Sequence, residues 1–367
     1  MTRQVGPSVV RFPQFPRVLT NVDDIRFFVP DLPPERLEQA RSISQRNRFR
    51  LPTFYARHVL LGTSTDPLLD LVLPSDEELS DGPELWDATP SPYRASFNPF
   101  WIQKYEYQGL LRLTTVCSGL CRFCYLKEKA LEPAVVRSQD VDHIFDDLRQ
   151  HGHSIKEIIL SGGDPLCSSP DVLLQIAERV VALRKVLGTS TPLISIHTRE
   201  PVWDPEYLLS RAELWDALAV LQPSAIMFHV LHPREITEGF LAVASRLADN
   251  GEKRPALLCQ HPVFRGVNDS VEVLEELYER LLSASPPIVP YYIVHPFYNG
   301  TLGKHKLSVR ESQCLYRELI RRPGWFTPRL VVPTPLGKCV VGPHEQLRAV
   351  AGGFMLTTKD GQEVVVP

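Results

Sequence analysis

The sequence predicts an α/β fold: six strand–helix units building a parallel sheet, with a mostly helical N-terminal extension and a C-terminal β-hairpin. Three observations predict it. From about Tyr107, short apolar runs alternate six times with segments of helical spacing, the pattern of a parallel sheet with right-handed crossovers. Polar residues and glycines gather just after the runs, where such folds build their sites. Finally, Phe354–Thr358 and Glu363–Val366 flank Lys359-Asp360-Gly361, a hairpin with an Asp-Gly turn.

Taken in order, residues 1–105 form the extension. Pro33-Pro34 before Glu35, Leu37 and Ala40 marks a helix entry with proline in its first turn. Asp66-Pro67 reads as a turn, and Pro74-Ser75-Asp76-Glu77-Glu78 as a turn and helix start. The barrel core spans 106–325. Its strands are Gly109–Thr115, Glu157–Leu160, Leu193–His197, Ala225–His229, Pro255–Gln260 and Val289–Val294. Its helices follow Val141, Ile144, Phe145 and Leu148, then Val172–Leu187, Tyr207–Leu221, Glu238–Asp249, the stripe from Val271 to Leu282, and Arg310–Arg321. Residues 326–367 form a C-terminal segment ending in the hairpin.

Composition narrows the class. The 367 residues are 43% hydrophobic and 23% charged, which suits a soluble protein with a sizeable core. A formal net charge of −3 gives no electrostatic signature of nucleic-acid binding. No apolar run reaches the roughly 18–20 residues of a membrane span, and the N-terminus has no apolar leader. The cysteines number seven, three of them within eight residues. That argues against a disulfide framework and for a reducing, cytoplasmic setting.

The chemistry centres on Leu110–Leu126, LLRLTTVCSGLCRFCYL. Cys117, Cys121 and Cys124 offer three thiolates after a strand, enough to hold three irons of a [4Fe-4S] cluster and leave the fourth open. A zinc site is the alternative; it would need a fourth ligand such as His151 or His153, neither at a familiar spacing. Ser161-Gly162-Gly163-Asp164 follows the next strand. Glycines there let backbone approach a ligand, though a tight strand–helix turn uses the same residues. His197-Thr198-Arg199 and Phe228-His229 end the next two strands. Arg199 has the forked donors that suit a carboxylate. Cys167, Cys259, Cys314 and Cys339 lack the spacing of a second cluster and read as small buried or partly buried residues.

The cysteine pattern, with Phe123 before the third thiol, resembles the radical S-adenosylmethionine (SAM) superfamily. From about Asp66 onward the chain resembles the lysine 2,3-aminomutase family. The segments DPLLDLVLPSDEEL, VCSGLCRFC, EIILSGGDPL, SIHTREPV, FHVLHPREITEG, FRGVND and VPYYIV carry the likeness. The resemblance implies a partial (βα)6 TIM-like radical SAM barrel holding a [4Fe-4S] cluster, SAM and pyridoxal 5′-phosphate (PLP). It implies a 1,2-amino shift on a small-molecule substrate, started by a 5′-deoxyadenosyl radical. An external electron donor such as flavodoxin or ferredoxin and a homo-oligomeric state are implied as well. Ser161, Gly162, Gly163 and Asp164 match the stretch that contacts the SAM amino group. Arg199 and His229 are candidates for SAM, with Arg199 on its carboxylate. Lys338, in PTPLGKCVVGP, matches the lysine that binds PLP in a glycine-rich loop. Lys104-Tyr105 matches an Arg-Tyr pair near the PLP phosphate, and Gln260 a glutamine near that cofactor.

The likeness breaks at the substrate end. A family arginine near the phosphate corresponds to Gln108. The arginine that binds the substrate carboxylate corresponds to Leu126, followed by Lys127. The two aspartates that hold the lysine ε-ammonium correspond to Phe297 and Pro333. A buried ammonium without a carboxylate is costly, so the expected substrate is an amino acid or relative other than lysine. Tyr125, Leu126, His295, Phe297 and Tyr298 imply a more aromatic pocket. Two other readings stand beside this one: a PLP-independent radical rearrangement, elimination, oxidation or cleavage, and a structural zinc or iron–sulfur protein.

Overall fold

The computed structural model describes residues 15–80, 99–124, 135–151, 154–187, 191–296, 303–322, 327–334, 336–358 and 361–366. Tyr125, Leu126, Lys127, His153, Phe297, Tyr298, Lys359 and Asp360 lie outside them, as do the side chains of Lys104 and His151. Two short strands, β1 (Val18–Leu19) and β2 (Leu51–Pro52), pair near the N-terminus. The main sheet begins with β3 (Trp101–Tyr105) and β4 (Gln108–Thr114). It continues through β5 (Glu157–Gly162), β6 (Leu193–Thr198), β7 (Ala225–His229), β8 (Ala256–Pro262) and β9 (Val289–Val294). β10 (Arg329–Thr334) and β11 (Gly337–Val340) complete it. The order follows the chain, with β4 to β10 parallel and β3 and β11 antiparallel at the two ends.

This is the expected α/β partial barrel, with one parallel strand more than the six read from sequence. The sheet takes in residues on both sides of the 105 and 325 boundaries. β10 escaped because Pro333 interrupts its Leu330-Val331-Val332 run. Proline is tolerated there because β9 pairs only with Arg329–Val331, so no ladder bond is lost at Pro333. The sheet curls until its edges meet: the Tyr105 hydroxyl on β3 accepts the Lys338 N–H of β11 at 2.8 Å.

Helices cover the outside, and their ends follow from capping. Thr237 caps Glu238–Asp249, Ser270 caps Val271–Leu282, and Ser308 forms a full capping box with Glu311 on Val309–Leu319. Leu37, Ala40 and Ile43 give Pro34–Arg46 its buried stripe. The helix expected over Tyr207–Leu221 is instead two, Pro205–Ser210 and Ala212–Leu221. Arg211 leaves helical geometry between them and gives its guanidinium to the carbonyls of Leu166 and Ser168. At the C-terminus the hairpin strands Gly353–Thr357 and Glu363–Val366 gain a third, Arg348–Val350. No described helix is long and apolar enough to cross a membrane.

Among the contacts between the N-terminal residues and the barrel is a fully buried ion pair. Arg122, between the second and third cysteines of the motif, has a fully buried side chain paired with the equally buried Glu78. Its Nε lies 2.7 Å from Glu78 Oε1, and its second contact is to Oε2. Asn47 donates to the same carboxylate at 2.9 Å, and Arg122 also reaches the Arg48 carbonyl at 2.9 Å. Removing one partner of such a pair strands a buried charge. Glu78→Gln is therefore expected to lower the unfolding free energy of the metal-free protein by about 3–5 kcal/mol in a denaturant titration; a loss under about 1 kcal/mol would contradict the buried pair.

Candidate functional site

Strand β4 ends at Thr114 and the chain then turns through Cys117, Cys121 and Cys124, all half-buried. Cys117 and Cys121 each lie close enough to Cys124 to feel its charge. Enclosure by protein pushes the Cys117 thiol well up and the Cys121 thiol up to about 12, the latter against the opposing field of Arg199. Thiols held this way ionise when metal replaces their protons. Among the described residues, no three His, Cys, Asp or Glu side chains converge on a single ion. One thiolate on each of three irons does not require such convergence, so the donor set fits the four-iron group.

The loop is held from several sides. The N–H of Leu120 bonds to the Arg50 carbonyl and that of Arg122 to the Leu71 carbonyl, both at 2.9 Å. Gly119 packs on Trp203, whose ring would stand 2.5 Å from any Cβ there. Phe123 packs on Phe264 with ring centroids 4.8 Å apart. Cys167, read as an ordinary thiol, lies 3.7 Å from the Ser118 hydroxyl beside this loop. Cys259 and Cys339 are buried, whereas Cys314 is exposed rather than buried.

Ser161-Gly162-Gly163-Asp164 is stapled to the start of the cysteine loop. Gly163 donates to the Thr114 carbonyl at 2.5 Å and Asp164 to that of Val116 at 2.9 Å. A Cβ on Gly163 would stand 2.5 Å from the Val116 oxygen, so backbone fills the place of a side chain. Asp164, expected to face SAM, turns inward instead. Its carboxylate accepts from Leu166 N–H (3.0 Å), Thr198 Oγ1 (2.8 Å), Arg199 N–H (2.7 Å) and Glu200 N–H (3.1 Å). Burial and the neighbouring Glu200 push its carboxyl up to about 7 against these bonds. Glu200 in turn accepts the Ser118 N–H at 2.8 Å. The ends of β4, β5 and β6 are thus tied by two buried carboxylates.

Arg199 is likewise committed to protein. One terminal nitrogen lies 2.7 Å from Glu235 Oε1; the other lies 2.8 Å from the His229 carbonyl and 3.2 Å from Glu235 Oε2. Tyr55 Oη and the Leu231 N–H complete the Glu235 carboxylate at 2.9 and 2.7 Å. The expected carboxylate clamp is a buried ion pair, because a full set of donors around Glu235 demands the guanidinium in place. His295 also leaves the pocket assigned to it: it is buried and its Nδ1 meets the Ser312 hydroxyl at 2.9 Å on helix Val309–Leu319.

The inner face of the sheet gathers the other candidates. His197 and His229 meet edge to face with centroids 6.0 Å apart. Burial, Arg199 and Lys338 hold His229 down to about 3; burial, His229 and Lys338 also hold His197 well below its usual range. Neutral His229 accepts the Gln260 amide on Nε2 at 2.7 Å, and the Gln260 Oε1 is buried without a partner. Lys338, expected in a loop, sits on β11, paired with Pro333. Its Nζ lies 4.8 Å from the Tyr292 ring centroid. Lys104 is on β3, and Tyr105 holds the Lys338 backbone.

PLP makes two demands, an amine for its aldehyde and cations for its phosphate. For the first, the amine is that of Lys338, with its Nζ over the Tyr292 ring. At Gln108, where the resemblance places an arginine, the amide donates to Glu157, and Ser195 donates to the same carboxylate at 2.7 Å. A carboxylate beside that position does not fit a phosphate.

Four residues went unread in the sequence: Glu78, Glu235, Glu157 and Arg112. Arg122, the partner of Glu78, was the one legible hint, since an arginine fixed between two motif cysteines calls for a buried anion. Glu235 and Glu157 pair across 30 or more residues, which no local pattern reports, and the Arg112 Nε has no partner to report it.

No family model matches the chain. A putative L-lysine 2,3-aminomutase of Aquifex aeolicus is 26% identical over 270 residues, 72% of this chain and 69% of that protein. L-lysine 2,3-aminomutase of Escherichia coli is 26% identical over 319 residues, 86% of this chain and 89% of the relative. That of Clostridium subterminale is 27% identical over 326 residues, 87% and 74%. Among solved structures, a methyltransferase of the radical SAM class from Sphaerobacter thermophilus has a TM-score of 0.44 at 14% identity, covering 64% of this chain and 69% of that one.

The inner histidines set an acid dependence. His229 protonates near 6.5 when unfolded but only at about 3 when folded. Unfolding therefore takes up a proton between those values, and stability falls as pH drops through this window. Asp164, with its raised carboxyl, acts in the opposite sense, so the test is a difference between variants. His229→Gln should reduce the slope of unfolding free energy against pH, between about pH 6 and 5, by about 1 kcal/mol per unit. An unchanged slope would show that His229 is charged or solvated in the fold.

Proposed function

We propose, with the chain's place as a divergent lysine 2,3-aminomutase-like radical SAM protein as the premise, that it catalyses a PLP-assisted 1,2-amino shift on an amino acid or close relative other than lysine. The cluster, when bound, supplies the electron that cleaves SAM to the radical that starts the reaction. Cys117, Cys121 and Cys124 hold three of its irons. Ser161, Gly162 and Gly163 present backbone to the SAM amino group. An external donor of flavodoxin or ferredoxin type delivers the electron. The barrel wall excludes water from the radical.

The observation that carries the amino-shift reading is Lys338. The resemblance assigns it to PLP, and it stands on the inner face among His197, His229 and Tyr292. His229 and Gln260, neutral and mutually bonded, offer hydrogen bonds without adding charge. Pro333 is buried on β10 where a lysine-binding site would need a carboxylate, which supports a substrate lacking the ε-ammonium. A second reading, radical chemistry without PLP, is favoured by the Glu157 carboxylate beside Gln108.

Two measurements separate these. Anaerobically loaded protein with SAM and reductant should release 5′-deoxyadenosine, and Cys121→Ala should release none; release by the variant would place the cluster elsewhere. After incubation with PLP and borohydride reduction, mass spectrometry should find the phosphopyridoxyl group on Lys338. Unmodified Lys338, with 5′-deoxyadenosine formation intact, would overturn the amino shift and leave the PLP-independent reading.

A further inference from the structure

Arg112 lies on β4, five residues before Cys117, and no motif reading singled it out. In the parallel register it stands opposite Ser161 of β5, about 4.8 Å away across the ladder. Directly opposed residues share a face. Ser161 is level with His197, the residue after Ile196 in the β5–β6 register, and His197 pairs with Met227. Arg112 therefore belongs to the inner row that holds the two histidines. Its neighbours Leu111 and Leu113 are fully buried on the other face. The Arg112 stem fills the place of a side chain at Gly162, where a Cβ would stand 2.5 Å from Arg112 Cγ. With a φ of +114°, that position suits only glycine.

The guanidinium is unclaimed. Its Nε is buried without a hydrogen-bond partner, and no described carboxylate pairs with it. A cation left this way beside a binding face calls for an anion. The anion is identified by what stands next to it. In an α-amino acid the ammonium and carboxylate hang from one carbon, so their binding groups lie within a few ångströms of each other. The Ser161–Gly163 backbone is the assigned contact of the SAM ammonium, and Arg112 is packed on its second residue. The earlier candidate, Arg199, has given both terminal nitrogens to Glu235 and the His229 carbonyl.

We propose that Arg112 binds the carboxylate of SAM, an assignment that rests on the radical SAM reading of the cysteine loop. Gly162 then has two tasks: it brings backbone to the ammonium and leaves room for the arginine that takes the carboxylate.

The test compares two ligands on anaerobically cluster-loaded protein by equilibrium dialysis. SAM carries the amino-acid group; 5′-methylthioadenosine keeps the adenosine and sulfur but lacks the amino-acid carboxylate and α-amine. Arg112→Gln should weaken SAM binding roughly 10- to 100-fold, the value of one charged hydrogen-bonded contact, and leave 5′-methylthioadenosine within about twofold of wild type. Arg112→Lys, which keeps the charge and most of the stem, should recover part of the loss and controls for folding. Equal weakening of both ligands, or unchanged SAM binding in Arg112→Gln, would overturn the assignment while wild-type SAM binding leaves the radical SAM reading standing. Wild-type protein that binds no SAM would overturn both.

Discussion

Two buried carboxylates hold the site in shape. Asp164 accepts from the ends of β5 and β6 at once, and Glu200 passes the connection to Ser118 in the cysteine loop. Loops at the open end of a parallel barrel have no ladder to fix them, so backbone N–H groups there must find other acceptors. Here the acceptors are side chains that look, in sequence, like ligand contacts. The cost of burying them is offset by four donors on Asp164 and is reflected in its raised carboxyl.

This division of labour governs the charge left for chemistry. Arg199 and Arg122 are spent on Glu235 and Glu78. The histidines of the inner face are held neutral first by burial and then by the charges around them, which penalise a further proton. The described residues of the inner face also include Lys338, Arg112 with its partnerless Nε, and Glu157, satisfied by Gln108 and Ser195. At one of the two positions where the resemblance places an aspartate, the strand carries Pro333, buried on β10.

Most of the fold was legible because period and turn chemistry are local. Ala225–His229, Val289–Val294, Glu238–Asp249 and the Val271–Leu282 helix lie where apolar spacing put them. Pro333 hid β10, and Arg211 split a helix whose apolar pattern ran straight through the break. The site was legible in position more than in role. The cysteines, Gly162–Gly163, His229, Gln260 and Lys338 do collect at one end and one face of the barrel. Arg199 was assigned to a ligand for its forked donors at a strand end, and Asp164 and His295 because the resemblance placed them near ligands. Their true partners sit on other units, at Thr198, Glu235 and Ser312, and a polar side chain does not announce in sequence which way it turns.

The central claim is that Cys117, Cys121 and Cys124 carry a four-iron cluster with one iron open to SAM. Mössbauer spectroscopy of protein loaded anaerobically with 57Fe tests it most directly. The account predicts a [4Fe-4S] spectrum in which SAM shifts a single iron of the four away from the other three. A protein that retains one zinc and no iron, or a cluster whose four irons ignore SAM, would contradict it.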